Sequence, residues 1–207
     1  MISWKNKKEI FGEKDLQQSV NLTLEIIAKY PQIPLPSYTL RALMKQILVG
    51  INALHSQGLV HRDIKCDNIL LHSPHNSGRV YVKISDFGFA KKQVLTHERT
   101  YKIGTIPFMA PELFKKPPLY TSKVDIYAAG VVILSDMPNI PRPEEIKDDI
   151  LWNLLSKMLD FDPIKRITAS EALQHPYFTS PVAHTDISPQ IDYQKIHSKG
   201  QRERIKE

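Results

Sequence analysis

The chain has 207 residues, of which 42% are hydrophobic and 24% charged, with a formal net charge of +6. That is the composition of an ordinary folded domain, long enough to bury about 70% of its unfolded surface, and it argues against intrinsic disorder. No apolar run approaches the ~20 residues needed to span a bilayer, so no membrane partner is expected. The single cysteine, Cys66, cannot make an internal disulfide, and the opening MISWKNKKEI lacks the apolar stretch of a signal peptide. The expected compartment is therefore the cytoplasm, with the nucleus as the alternative. Between residues 79 and 102, six Lys/Arg stand against two Asp/Glu, so the charge excess is local. Zinc-finger spacing, ribonucleoprotein aromatics and a basic region leading into heptads are all missing, so no nucleic-acid partner is expected. A basic stretch of this kind also suits holding a phosphate.

In chain order, residues 1–14 are polar and lysine-rich, and 15–30 read as a helix stopped by Pro31, Pro34 and Pro36. From Ser37, Leu40, Leu43, Met44, Ile47, Leu48, Ile51 and Leu54 recur at helical steps, with Gly58 as the stop. Short β-type runs at 69–71 and 80–84 predict a hairpin. Residues 124–134, VDIYAAGVVIL, are apolar on nearly every face and too short to cross a membrane, which predicts a buried helix. Ile150 to Leu159 predict another helix, and Thr168 with Glu171 forms a capping box for a last short one. The residues from 179 to 207 are polar and predict a flexible tail. The fold class is mainly α with one small hairpin.

Asp63, Asn68 and Asp86 are hard oxygen ligands on loops, beside Lys65, which is what a magnesium-phosphate site requires. Each alone would ordinarily be a cap or turn residue, so their order and spacing carry the reading. His61-Arg62-Asp63-Ile64-Lys65-Cys66-Asp67-Asn68, then Asp86-Phe87-Gly88 and Ala110-Pro111-Glu112, resemble the catalytic loop and the bounds of the activation segment in the eukaryotic protein kinase family. The likeness continues through Gly104 to Met109, through Asp125, and through Asp162 to Thr168.

This resemblance implies a kinase C-terminal lobe over residues 15–178, with 1–14 as a hinge remnant or disordered stretch. It implies a serine/threonine protein kinase using ATP and Mg2+ on a protein substrate. Asp63 would orient the substrate hydroxyl and accept its proton, Lys65 would meet the γ-phosphate, Asn68 and Asp86 would bind magnesium, and Leu70 would lie beneath the adenine. Arg62 would clamp a phosphate on the activation segment, at Thr100 or Tyr101. Thr105 would bond Asp63 and Lys65. His61 and Phe87 would pack together, Gly88 would permit the turn at Asp86, and Glu112 with Arg166 would form a buried ion pair.

The family's G-x-G-x-x-G and V-A-I-K are not found, and the eight glycines contain no G-x-G pair. The β-rich N-terminal lobe is therefore expected to be absent. A partner protein over the surface it would cover is the corresponding expectation. The segment SDMPNIPRPEEIKDD reaches the next helix early, implying a reduced substrate-docking helix. The alternative to a truncated enzyme is an impaired kinase-like binding or scaffold protein.

Overall fold

The computed structural model describes residues 22–23, 37–72, 80–92, 104–135 and 148–186. Helix α1 (Ser37–His55) carries the apolar stripe read from the sequence, and Leu40, Leu43, Met44, Ile47, Leu48 and Ile51 are all buried. The helix unwinds through 56–58, where Gly58 donates to the His55 carbonyl and takes φ 67, a conformation glycine adopts without strain.

After α1 come β2 (Leu59–Val60), β3 (Ile69–His72), β4 (Tyr81–Ile84) and β5 (Lys91–Lys92). β3 and β4 form the expected antiparallel hairpin, with Ile69 opposite Ile84 and His72 opposite Tyr81. On its other side β3 pairs with β1 (Leu22–Thr23), giving the order β1-β3-β4. This corrects the helix expected over 15–30, at least at residues 22 and 23; the rest of that span lies outside the described residues. Leu22 and Thr23 take strand form where β3 offers an edge to pair with. β2 pairs with β5, bringing Val60 opposite Lys91.

Helix α2 (Lys123–Ser135) is the predicted buried helix, with Val124, Ile126, Ala129, Val132 and Ile133 almost fully enclosed. It packs against both α1 and α3 (Asp149–Met158). Asp148 caps α3, its carboxylate accepting from Ile150 N and Leu151 N at 3.0 Å. Residues 136–147, where the docking helix was expected to be reduced, lie outside the described residues. Helix α4 (Ala169–Leu173) begins with the reciprocal Thr168–Glu171 capping box and packs on α1. Two short helices follow, α5 (Pro176–Thr179) and α6 (Pro181–Asp186). α6 corrects the flexible tail expected from 179 as far as residue 186, because Ala183 is buried and the helix packs against α1; residues 187–207 lie outside the described residues. One core joins α1, the hairpin, α2, α3, α4 and α5, and a smaller cluster of Val60, Met109, Ala110, Leu113 and Val124 lies beneath residues 106–114. None of the described helices is long and apolar enough to cross a membrane.

Candidate active site

Residues 61–68 leave the interior at the end of β2 and return into β3, so their backbone is held from below. Asp125, 1% exposed at the start of α2, accepts the N–H of His61 through Oδ2 and that of Arg62 through Oδ1, both at 2.8 Å. Arg62 has φ 69, a left-handed conformation that costs a non-glycine residue about 1 kcal/mol or more. The two charge-assisted bonds from its own and the preceding amide hold it there. His55, at the end of α1, donates from Nε2 to Asp125 Oδ2 at 2.9 Å.

On this base four polar side chains meet. Thr105 Oγ1 donates to Asp63 Oδ1 at 2.8 Å and accepts from Lys65 Nζ at 3.1 Å. Lys65 Nζ lies 3.0 Å from Asp63 Oδ2. Asn68 Nδ2 donates to Asp63 O at 2.8 Å and to Asp63 Oδ2 at 3.2 Å. Burial pushes the Asp63 carboxyl upward, but the hydrogen bonds from Thr105, Lys65 and Asn68 and the Lys65 charge outweigh it, and its pKa falls below the usual carboxylate value. Asp63 is thus an anion across the neutral pH range.

Thr105 reaches the loop because Gly104 lets the chain come close. At φ 120, a Cβ on Gly104 would stand 2.9 Å from the Arg62 carbonyl oxygen.

Asp86 follows β4 and joins this group through Ser85. Ser85 N donates to Asn68 O at 2.8 Å, and Ser85 Oγ donates to the same oxygen at 3.2 Å. The Asp86 carboxylate is exposed, and its Oδ1 accepts from Gly88 N at 3.2 Å. The left-handed residue of this turn is Asp86 itself, at φ 61, and a Cβ on Gly88 would stand 3.1 Å from Asp86 Oδ1, a contact that glycine avoids. Aspartate tolerates that region because its short side chain bonds the local backbone.

His61 donates from Nε2 to Ser85 O at 3.1 Å, and its Nδ1 accepts from Asp63 N at 3.4 Å. Its ring meets that of Phe87 edge-on, with centroids 5.1 Å apart. Burial lowers the His61 pKa despite the surrounding carboxylates, so the ring is neutral. Glu112 and Arg166 form a two-point ion pair at 2.6 and 2.9 Å, both residues being buried.

Leu70 is half-buried in β3, between Lys83 of β4 and Thr23 of β1. Arg62 donates from Nε to Phe89 O at 2.8 Å, and its guanidinium lies 5.4 Å from the centre of the Tyr120 ring. Its Nη2 is buried without a hydrogen-bond partner among the described residues. Thr100 and Tyr101 lie outside the described residues. Sequence reasoning missed His55 and Tyr120, whose contacts span 70 and 58 positions and leave no local pattern.

The donor set suits magnesium. No group of three His, Cys, Asp or Glu side chains that could hold a metal is found among the described residues, but magnesium is commonly bound by one or two protein oxygens plus phosphates and water. The Asn68 amide nitrogen is committed to Asp63, so its Oδ1 is the atom of that side chain that could ligate a cation, and Asp86 is exposed.

A family model described as protein kinase domain matches residues 8–138. The chain is 35% identical to the calcium/calmodulin-dependent protein kinase type II alpha chain of Drosophila melanogaster, over 65% of this chain and 29% of that relative. It is 34% identical to serine/threonine-protein kinase PAK 4 of Mus musculus, over 72% of this chain and 28% of that protein. It is 30% identical to the phosphorylase b kinase gamma catalytic chain, liver/testis isoform, of Bos taurus, over 67% of this chain and 40% of that protein. The chain thus spans two fifths or less of these relatives. With its catalytic-loop pattern, helix-rich fold and family-model match, this chain belongs to the protein kinase family.

Proposed function

We propose that the chain carries the phosphoryl-transfer machinery of a serine/threonine protein kinase, acting on Ser or Thr hydroxyls of a protein substrate with ATP and magnesium. The observation that carries this reading is the knot of Asp63, Lys65, Asn68 and Thr105. It holds one carboxylate ionised, oriented and next to a cation. Transfer of a phosphoryl group is mainly a matter of alignment and of neutralising oxyanions.

Asp63 orients the attacking hydroxyl and takes its proton. Its low pKa makes it a weak base, which suits a transfer in which the proton leaves late. Lys65 neutralises the γ-phosphate oxygens, and Thr105 keeps Asp63 and Lys65 at a fixed separation. Asn68 Oδ1 and Asp86 would hold the magnesium ion, which would supply charge neutralisation to the phosphates. Leu70 gives the adenine an apolar floor. The buried Nη2 of Arg62 supports the reading that Arg62 receives a phosphate on the segment containing Thr100 and Tyr101. Lys91, exposed on β5, would add charge nearby.

Transfer of labelled phosphate from ATP to casein tests this reading in the wild-type chain and in Asp63→Asn and Asp86→Ala. Each variant should lose on the order of 10² to 10³ in rate. No transfer by the wild-type chain, or equal transfer by all three, would overturn it.

A further inference from the structure

The strand that delivers Asp86, β4, is the outer strand of its sheet among the described residues, and an outer strand presents a row of backbone N–H and C=O groups that its single neighbour leaves unpaired. Here the edge is met by one side chain of α1. Gln46 Oε1 accepts from Val82 N at 2.9 Å, and Gln46 Nε2 donates to Val80 O at 3.3 Å. The amide therefore brackets Tyr81 as one residue of a parallel neighbouring strand would, accepting from the residue after it and donating to the residue before it.

One helical turn on, Gly50 completes the seat. A Cβ there would stand 2.9 Å from Ile84 Cδ1, so the absence of a side chain lets Ile84 press against the helix. Gln46 thus sets the position of β4 along its length, and Gly50 sets its depth against α1. Two residues beyond Ile84 lies Asp86, and between them Ser85 makes the bonds to Asn68 O. The shared face of α1 and the line from β4 through Ser85 to Asp86 are continuous.

We propose that Gln46 is a positioning residue for Asp86. Its amide acts as a surrogate strand that fixes the register of β4, and through Ser85 it fixes the separation of Asp86 from Asn68. The magnesium part of this inference rests on the function proposed above, whereas the positional part does not. A plain edge cap would protect only the amide it touches. A positioning role extends to the far end of the strand.

The experiment is residue-resolved amide hydrogen exchange by NMR on the full chain, comparing wild type with Gln46→Met and Gln46→Glu. Methionine keeps the length and helix preference of glutamine and removes both hydrogen bonds. Glutamate keeps the acceptor for Val82 N–H and sets a second oxygen against Val80 O. Val49→Thr, on the exposed side of the same turn, is the control.

In Gln46→Met, exchange should quicken at least tenfold at Val82 and also at Ser85 and Gly88, with the amides of α1 and the melting temperature little changed. Gln46→Glu should fall between the two, and Val49→Thr should match wild type. Faster exchange at Val82 alone, or no change at Ser85 and Gly88, would overturn the proposal.

Calorimetric titration with ATP supplies the second readout. Gln46→Met should reduce the gain in affinity on adding magnesium by ten- to a hundredfold, the usual effect of losing a residue that orients a metal ligand, and leave magnesium-free binding unchanged. A wild-type chain with no magnesium-dependent gain would count against the proposed function, and the exchange result would then decide the role of Gln46 by itself.

Discussion

Asp125 and Arg62 meet through a single 2.8 Å bond, from the Arg62 backbone N–H to Asp125 Oδ1, at the point where the 61–68 loop turns left-handed. The other oxygen of the carboxylate takes His61 N and His55 Nε2, so one buried acid joins α1, α2 and the loop. The charge is solvated entirely by donors of the protein. The strain at Arg62 is offset at the atom where it arises.

Replacing Asp125 by asparagine keeps the shape but directs an amide N–H₂ at donors that need an acceptor. Leaving buried donors unsatisfied costs about 1–3 kcal/mol each. Asp125→Asn should therefore lower the unfolding free energy by about 2–4 kcal/mol, measured by urea denaturation. A change below about 0.5 kcal/mol would contradict the role assigned to this carboxylate.

The Glu112–Arg166 pair makes a different prediction, because both partners are buried and joined at two points. Arg166 also donates from Nε to Asp160 O and from Nη1 to Lys123 O. Truncating one member of such a pair leaves an uncompensated charge and costs about 3–5 kcal/mol. Arg166→Met alone should show that loss. The double change Glu112→Leu with Arg166→Met should recover a good part of it, and a double-mutant cycle with no coupling would contradict the account.

The sequence foretold what short-range signals encode. HRDIKCDN lies on the loop between β2 and β3, the 69–84 region pairs as a hairpin, and Thr168 with Glu171 caps α4, because each depends on residues within a few positions or on one period. The base of the site was not legible in the same way. His55 and Asp125 are 70 positions apart, Gln46 and Val82 are 36 apart, and none of these residues departs from its local pattern. The left-handed conformation of Asp86, whose own carboxylate accepts from Gly88 N, was likewise not announced by the sequence, because any short acidic residue in a turn can take either conformation. At 22–23 a helical reading gave way to a strand because β3 had an unpaired edge.

Two buried histidines give the fold a pH dependence. His175 caps α5, its Nδ1 accepting from Tyr177 N at 3.2 Å and its Nε2 donating to Asn153 Oδ1 at 2.9 Å. Burial, aided by the Lys157 charge, lowers its pKa, and burial also lowers that of His61. A histidine with a lowered folded pKa leaves stability unaffected above its ordinary value of 6.5, where both states are neutral. Below 6.5 the unfolded chain takes up the proton first, so stability falls until the folded pKa is reached. The urea midpoint should drop as the pH is lowered from 7 toward 5, and His175→Asn, which retains a capping side chain, should flatten the drop. A midpoint that rises on acidification would contradict these assignments.

Thr105 and Asp63 make the next prediction. Thr105→Val removes the hydroxyl that donates to Asp63 Oδ1, a bond that lowers the Asp63 pKa. The pKa should move up toward the ordinary carboxylate value, as read from the carboxyl carbon shift in an NMR titration. A depressed folded pKa gives stability that is present above the unfolded value and lost as the pH falls through the folded one. That acid-side loss should accordingly be smaller in Thr105→Val. An unmoved Asp63 titration would contradict the hydrogen-bond origin of the shift.

The claim on which the functional reading depends is that Asn68 and Asp86 face one divalent cation, with Asp63 beside it. Paramagnetic broadening by Mn2+ added with ATP, followed residue by residue in the NMR spectrum of the full chain, tests it most directly. The account predicts that the Asn68 side-chain amide and the backbone amides of Asp63, Asp86 and Gly88 broaden together at the same substoichiometric metal concentration, and that Asp86→Ala abolishes the effect at all of them. Broadening confined to one of these positions, or retained in full by Asp86→Ala, would contradict it.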